Sequence, residues 1–131
     1  MDFLKREDLL GDASPSLAEE VVTISWRHPQ TGKRIKRQVT VRERTVAQKT
    51  AFEIAIAKNG VVDEAKIREA IVVADSFGPD GKPVFGPEDA AMIGQLGSGI
   101  FEPIVEASLR LSKTTTEDLA DLAKKSEATG G

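Results

Sequence analysis

The sequence of 131 residues has no cysteine and no tyrosine, and it holds one histidine and one tryptophan. Without cysteine the chain forms no disulfide, and thiol nucleophiles, cysteine-based zinc sites and thiol redox chemistry are excluded. No stretch approaches the roughly 18 consecutive apolar residues of a membrane-spanning helix, and the charged residues among 2–8 are unlike a signal peptide. We therefore expect a soluble protein that stays in the compartment where it is made.

Residues suited to catalysis are also sparse. His28 lies in a turn-rich segment, where a surface role is far more common than general-base catalysis, and neither Ser25 nor Ser98 has a context that indicates a catalytic triad. The glycines from Gly94 to Gly99 lack the Lys-Ser/Thr ending of a phosphate-binding loop. Three acidic pairs fall at predicted helix starts, where the helix dipole explains them: Asp63/Glu64, Glu88/Asp89 and Glu117/Asp118. We expect no enzyme activity, no metal site and no cofactor.

Positive charge is concentrated in one segment. Residues 27–44 hold seven basic residues and one acid, a net charge of +6, which leaves −9 for the remainder because the whole chain carries −3. Such a division indicates either a basic surface for an acidic partner or complementary surfaces through which copies of the chain meet head to tail. The charge distribution alone favours neither.

Period-two alternation predicts an antiparallel β-hairpin over residues 20–43. The first strand places Val22, Ile24 and Trp26 on one face. Turn residues follow at 28–33, and the second strand continues the alternation with one face formed by Ile35, Arg37, Val39 and Val41. An isolated hairpin is marginal in water, so the apolar face should pack on helices and leave the basic residues in solvent.

Helical spacing begins after the hairpin. Thr45 is a predicted N-cap for a helix that ends near Lys58, and Asp63 is a predicted N-cap for a second helix. The second helix is apolar on nearly all sides, as is typical of a helix at the centre of a core or an oligomer interface. Residues 77–85 predict a tight turn or a miniature hairpin around Pro-Asp-Gly.

The last third of the sequence predicts three further helical segments. The first is a short helix that opens at Gly86-Pro87 and ends near Gly97. The next begins at Ser98 or Gly99, and Pro103 fits it only near its first turn. The last begins at Thr115 or Thr116 and carries Leu119 and Leu122 as a narrow apolar stripe.

These elements predict an α+β fold, in which an N-terminal antiparallel β-hairpin precedes a mainly α-helical part of about four to five helices. We expect a single domain over 1–127, with an N-terminal arm and loop at 1–19, the hairpin at 20–43 and the helical part at 45–127. Residues 128–131 are expected to be disordered. The arm holds Phe3, Leu4, Leu9 and Leu10, which suit either a cover for the core or a detachable interaction arm.

Three classes of function remain: a binding module or chaperone, a nucleic-acid binder and a structural subunit. The nucleic-acid hypothesis uses a basic hairpin face that comprises Arg27, Lys33, Arg34, Lys36, Arg37 and Arg42. An isoelectric point of about 5.3 and the place of Trp26 on the apolar strand face argue against it. A binding module would instead use a candidate apolar helix surface that comprises Ile100, Phe101, Ile104, Leu119 and Leu122.

The order of features resembles the tail assembly chaperones of long-tailed bacteriophages over most of the chain. The N-terminal part of the resemblance consists of Asp2-Phe3-Leu4, Asp8-Leu9-Leu10, the hairpin, Arg44-Thr45-Val46-Ala47 and Phe52-Glu53. The sharper C-terminal part consists of residues 80–85, Glu88-Asp89, Ile93-Gly94, Ile104, Glu106-Ala107, Leu111-Ser112, Thr116-Glu117-Asp118 and residues 122–125. The longer basic hairpin with its turn at 28–33, and Pro103, depart from the pattern.

This resemblance implies a non-catalytic protein that binds the tape measure protein, keeps it soluble and leaves when the tail tube assembles around it. It also implies a homo-oligomer in the host bacterial cytoplasm that is absent from the mature virion, and contact with the tail tube protein through a longer frameshifted form. The alternatives are a structural or tail-completion protein retained in the virion, and a nucleic-acid binder that uses the basic hairpin.

Overall fold

A β-hairpin begins the folded part of the chain, as the period-two pattern predicts. The computed structural model describes residues 2–58, 64–113, 117, 118 and 121. Strand β1 (Glu19–Arg27) pairs antiparallel with strand β2 (Arg34–Arg42), with Trp26 opposite Ile35. The amide of His28 donates to the carbonyl of Lys33 (2.8 Å) and closes the turn, in which Gly32 takes a positive φ of 71°.

A third strand completes the sheet, and the sequence analysis did not predict it. Strand β3 (Ser76–Phe77) pairs antiparallel with β2, so the strand order is β1-β2-β3. The predicted miniature hairpin is present, because the amide of Gly78 donates to the carbonyl of Lys82 (2.9 Å) and Phe77 bridges to Pro83. One arm of this small hairpin therefore also serves as the third strand.

Four α-helices follow β2 within the described residues. Their bounds are α1 (Val46–Lys58), α2 (Glu64–Asp75), α3 (Ala90–Ile93) and α4 (Ser98–Ser112), and short 3-10 turns lie at Arg6–Asp8, Gly11–Ala13 and Pro87–Asp89. The α+β fold class is confirmed. The predicted cap at Asp63, most of the predicted last helix and the predicted disordered tail at 128–131 lie outside the described residues.

The predicted cap of α1 is confirmed as a reciprocal capping pair. The hydroxyl of Thr45 accepts from the amide of Gln48 (3.1 Å), and the side-chain oxygen of Gln48 accepts from the amide of Thr45 (2.9 Å). Pro103 lies in the second turn of α4, later than expected. The carbonyl that loses a donor is that of Gly99, an exposed residue, so water can replace the missing hydrogen bond.

The core lies between the helices and one face of the sheet. It consists of Val39, Val41, Ile56, Ile67, Ile71, Val72, Ile93, Phe101, Ile104, Val105 and Ala107. Helix α2 is central to it, as its apolar sides predict. At one end of β1, Arg110 of α4 donates to the carboxylate of Glu20, and this hydrogen bond raises the pKa of Arg110 above its ordinary value. Among the described residues, the side chains on the other face of the sheet are exposed or half-buried.

A buried ion pair joins the sheet to two helices. Asp75, at the end of α2, is 2% exposed and accepts two hydrogen bonds from Arg44 (both 2.9 Å) and one from the hydroxyl of Ser108 in α4 (2.6 Å). The guanidinium of Arg44 also stacks on the ring of Phe52 in α1, 3.9 Å from its centroid. The Asp75 carboxylate thus connects the residue that follows β2 with α2 and α4.

Removal of that carboxylate should strongly destabilise the fold. We expect Asp75→Ala to lower the free energy of unfolding by about 3–5 kcal/mol, because it leaves the Arg44 charge partly buried without its partner. The double variant Arg44→Met/Asp75→Leu should recover part of that loss, since no charge is left unpaired. Urea denaturation followed by Trp26 fluorescence measures both values. A loss below about 1 kcal/mol for Asp75→Ala would contradict the assigned role.

Candidate functional site

The described residues form neither a metal-binding cluster nor a membrane-spanning helix. In residues 2–58, 64–113 and the three described beyond them, no three His, Asp or Glu side chains are grouped to hold a metal ion. None of the helices in that part of the chain combines the length and apolar character that crossing a membrane requires. The imidazole of His28 accepts from the amides of Gln30 (3.2 Å) and Thr31 (3.3 Å), which makes it a turn-stabilising residue, as expected.

An apolar groove lies between the turn end of the hairpin and the start of α4, and we call it the hairpin–α4 groove. It has a volume of about 840 Å³. Its apolar lining comes from β1, from the loops on either side of α3 and from α4, and consists of Ile24, Trp26, Phe85, Leu96, Ile100 and Phe101. This is a concave apolar surface that the protein's own described elements leave open.

The local sequence explains why the groove is open. Alternation along β1 directs Ile24 and Trp26 to the same face of the sheet as the core. Gly97 and Gly99 line the groove where α4 begins, and neither has a side chain to fill it. A Cβ atom added at Gly99 would have no neighbour within 4 Å, which shows that this wall borders open space.

The rim of the groove is cationic. Arg27 and Arg34 face each other as the last residue pair of the hairpin, and both border the groove. The guanidinium of Arg27 donates to the carbonyl of Gly32 (3.1 Å), and that of Arg34 donates to the hydroxyl of Ser25 (3.3 Å). Among the described residues that line the groove, none is acidic. The groove therefore suits an apolar ligand that also carries negative charge.

The six predicted residues of the basic hairpin face do not share one face. The strand register places Arg27, Arg34, Lys36 and Arg42 on the solvent face, whereas Arg37 lies opposite Ile24 on the core side and Lys33 lies in the turn. Arg37 was grouped by charge, although strand alternation assigns it to the other face. Arg42 stacks on Phe77 (4.5 Å to the ring centroid) and pairs with Glu19 (3.0 Å). Three basic residues, Arg27, Arg34 and Lys36, remain together.

The predicted apolar helix surface is also divided. Ile100 is half-buried and lines the groove, and Phe101 lies at its floor, only 9% exposed, in an edge-to-face contact with Phe85 (6.4 Å between centroids). Ile104 does not belong to a surface: it is 0% exposed, because helical spacing turns it toward the core. Leu119 and Leu122 lie outside the described residues.

Sequence reasoning missed most of the groove. Ile24 packs against the core as expected and also lines the groove, whereas Trp26 is half-buried at the groove, and neither Phe85 nor Leu96 is a predicted site residue. The available signal is Leu96, a large apolar residue between Gly94 and Gly97, which is 55% exposed. A second apolar surface lies on the N-terminal arm, where Phe3 is 94% exposed and Leu4 is also exposed.

Comparison with known proteins identifies no relative: the chain matches no protein-family model, no curated protein and no solved structure.

Phe101 at the floor of the groove and Leu96 in its lining should contribute very differently to the free energy of unfolding. Phe101→Ala should lower the free energy of unfolding by about 3–5 kcal/mol, since it opens a cavity in the core. Leu96→Ser should change it by less than about 1 kcal/mol, because Leu96 is 55% exposed. Equilibrium unfolding in urea measures both. Similar losses for the two variants would show that Leu96 is a core residue.

Proposed function

We propose that this protein is a non-catalytic tail assembly chaperone of a long-tailed bacteriophage. It binds the tape measure protein in the host bacterial cytoplasm, keeps that long helical chain soluble and helps the tail tube assemble around it. It is absent from the mature virion, it acts as a homo-oligomer, and a longer frameshifted form contacts the tail tube protein. The observation that supports this proposal is the open, apolar, cation-rimmed hairpin–α4 groove.

The groove suits one face of an amphipathic helix. Helical partners place apolar side chains at spacings of three, four and seven residues, and these enter a groove as a single stripe. Ile24, Trp26 and Ile100 offer the apolar contact surface, and Arg27 and Arg34 offer charge for acidic residues at the edge of that stripe. A tape measure protein is largely helical, so it presents many such segments.

The size of the groove suits reversible binding. A fully buried leucine or phenylalanine side chain contributes about 1.5–3 kcal/mol. The groove holds only a few such side chains, and association itself opposes binding by several kcal/mol. Each site is therefore expected to hold its helix weakly. A chaperone needs weak individual sites, because the partner must be released when tube subunits arrive.

The two alternatives differ in what they require. A nucleic-acid binder would use Arg27, Arg34 and Lys36, but the hairpin offers it a single aromatic residue, Trp26, which lies on the core side of the sheet and not on the solvent face of Lys36. A structural or tail-completion protein would remain in finished particles. Nucleic-acid binding does not need an open apolar groove, and presence in finished particles separates the structural alternative from the chaperone.

Affinity purification from phage-producing cells before lysis tests the proposal. We expect the tagged protein to recover a very large helical protein, identified by mass spectrometry, and to be absent from purified particles. Stoichiometric presence in particles would favour the structural alternative. Recovery of nucleic acid alone, with binding that falls steeply as salt increases, would favour the nucleic-acid binder.

A groove-filling variant tests the site separately. Gly99→Leu adds a side chain at the groove wall without removing a contact, and leucine is a better helix former than glycine. Ala47→Leu is the matched control, because Ala47 is exposed and is likewise the second residue of its helix. Peptides from the recovered partner should bind Gly99→Leu at least tenfold more weakly than wild type or the control, measured by Trp26 emission. Equal affinity would exclude the groove.

A further inference from the structure

Within the residues that the structure describes, strand β1 has a free edge along its whole length. The amide of Glu43 donates to the carbonyl of Ala18 and the amide of His28 donates to that of Lys33 (both 2.8 Å), and these bonds flank the β1-β2 ladder. Hydrogen-bonded residues alternate along an antiparallel strand pair. Because Ala18 and His28 both bond across to the β2 side, the even-numbered residues of β1 are the ones that hydrogen-bond to β2. The amides and carbonyls that point away from β2 belong to Glu19, Val21, Thr23, Ser25 and Arg27. Within the described chain these groups have no hydrogen-bonding partner.

Natural proteins protect free strand edges against pairing with another chain, and β1 has few of the features that give this protection. A nine-residue edge with unpaired backbone groups is a template for another strand, and proteins block it with proline, bulges or lysine. The outward-facing positions of β1 carry no proline and no lysine, and the central three, Val21, Thr23 and Ser25, are uncharged. Charge occurs only at the two ends, as Glu19 and Arg27, and both residues are exposed.

We propose that this edge pairs with the same edge of a second copy. The two β1 strands run antiparallel about a two-fold axis at Thr23, which lies opposite Thr23 of the second copy. Glu19 then lies opposite Arg27, and Val21 opposite Ser25, on both sides of the axis. Each of these pairs joins residues whose backbone groups point outward, so each forms two backbone hydrogen bonds. The product is a six-stranded sheet.

Charge and strand geometry select this register. A register shifted by one residue places the outward-pointing backbone groups of one copy opposite residues of the other copy whose groups already bond to β2. It also moves the side chains of one copy to the opposite face of the sheet. A shift by two residues leaves both Glu19 and Arg27 without an opposite charge. Parallel pairing in register places like charges beside each other, which is unfavourable. Only the antiparallel register centred on Thr23 forms both ion pairs.

The two-fold axis has a consequence for the groove. Because the axis is perpendicular to the sheet, the helices of both copies lie on the same side, and so do both hairpin–α4 grooves. The same register places Glu20 of each copy opposite Trp26 of the other, at the edge of that copy's groove. The dimer therefore presents two grooves in antiparallel orientation. The inference itself rests on the β1 edge and does not depend on the proposed function.

Single-cysteine crosslinking tests the register, since the chain has no cysteine of its own. Thr23→Cys places two thiols at the axis, within the roughly 7 Å between Cα atoms that a disulfide allows. Gln38→Cys is the matched control: Gln38 lies directly opposite Thr23 on β2 and shares its exposed face. Its Cα would lie three strand spacings, about 14 Å, from its copy. Mild oxidation should therefore crosslink Thr23→Cys and leave Gln38→Cys without a disulfide between copies.

Two further variants test the edge in solution. Thr23→Pro removes an outward-pointing amide and spares the bonds to β2, so sedimentation should show a monomer at concentrations where wild type dimerises. Glu19→Arg should also abolish the dimer, and Glu19→Arg/Arg27→Glu should restore it. Circular dichroism checks that each variant is folded. The double variant still lacks the Glu19–Arg42 pair, so restoration reports the contact between copies.

Three results would overturn the inference. These are a monomeric wild-type protein at high concentration, equal crosslinking of the Thr23→Cys and Gln38→Cys proteins, and a dimer that persists in folded Thr23→Pro. None of them bears on helix binding, which the Gly99→Leu and Ala47→Leu proteins measure independently. Conversely, loss of peptide binding in Gly99→Leu would leave the dimer unaffected.

Discussion

The buried carboxylate of Asp75 is the constraint on which the arrangement of the helices over the sheet depends. It meets Arg44 just after β2 and Ser108 in the middle of α4, and it directly precedes β3. The hydroxyl of Ser76, the next residue, donates to the carbonyl of Val72 (2.6 Å), so the buried polar groups at this junction are satisfied. A buried charge with this many partners tolerates few alternative packings, which fixes α2 and α4 relative to the sheet.

Helices pack on one face of the sheet, and this arrangement accounts for both candidate interaction surfaces, the hairpin–α4 groove and the free edge of β1. Because α2 and α4 pack on the same face of the sheet, alternation along β1 divides its residues into a core-facing row and a solvent-facing row. The core-facing row extends past the start of α4, and its uncovered end forms the hairpin–α4 groove. In the described part of the chain, β1 has a neighbouring strand on one side only, and this leaves its other edge free.

The sequence predicts those features that depend on residues close together in the chain. The hairpin, the Thr45 cap and the turn at Pro79-Asp80-Gly81 follow from local periodicity and turn chemistry, and all are present. Asp75 was not recognised, because its partner Arg44 is 31 residues away and α2 reads as an apolar helix. The groove was anticipated only at Ile100 and Phe101. Its other walls come from distant segments that meet through tertiary packing, and no local pattern encodes that meeting.

Helix α1 is attached to the rest of the described structure by few contacts. It buries Ile56 and half-buries Phe52 beneath the Arg44 guanidinium, while Val46 and Ile54 are exposed. Elements with little buried apolar surface open at a lower free energy than the global unfolding of the protein. Amide hydrogens of α1 should therefore exchange with solvent much sooner than those of α2 and α4. We therefore expect α1 to open as a cooperative unit of its own, at a lower free energy than the sheet and the other helices.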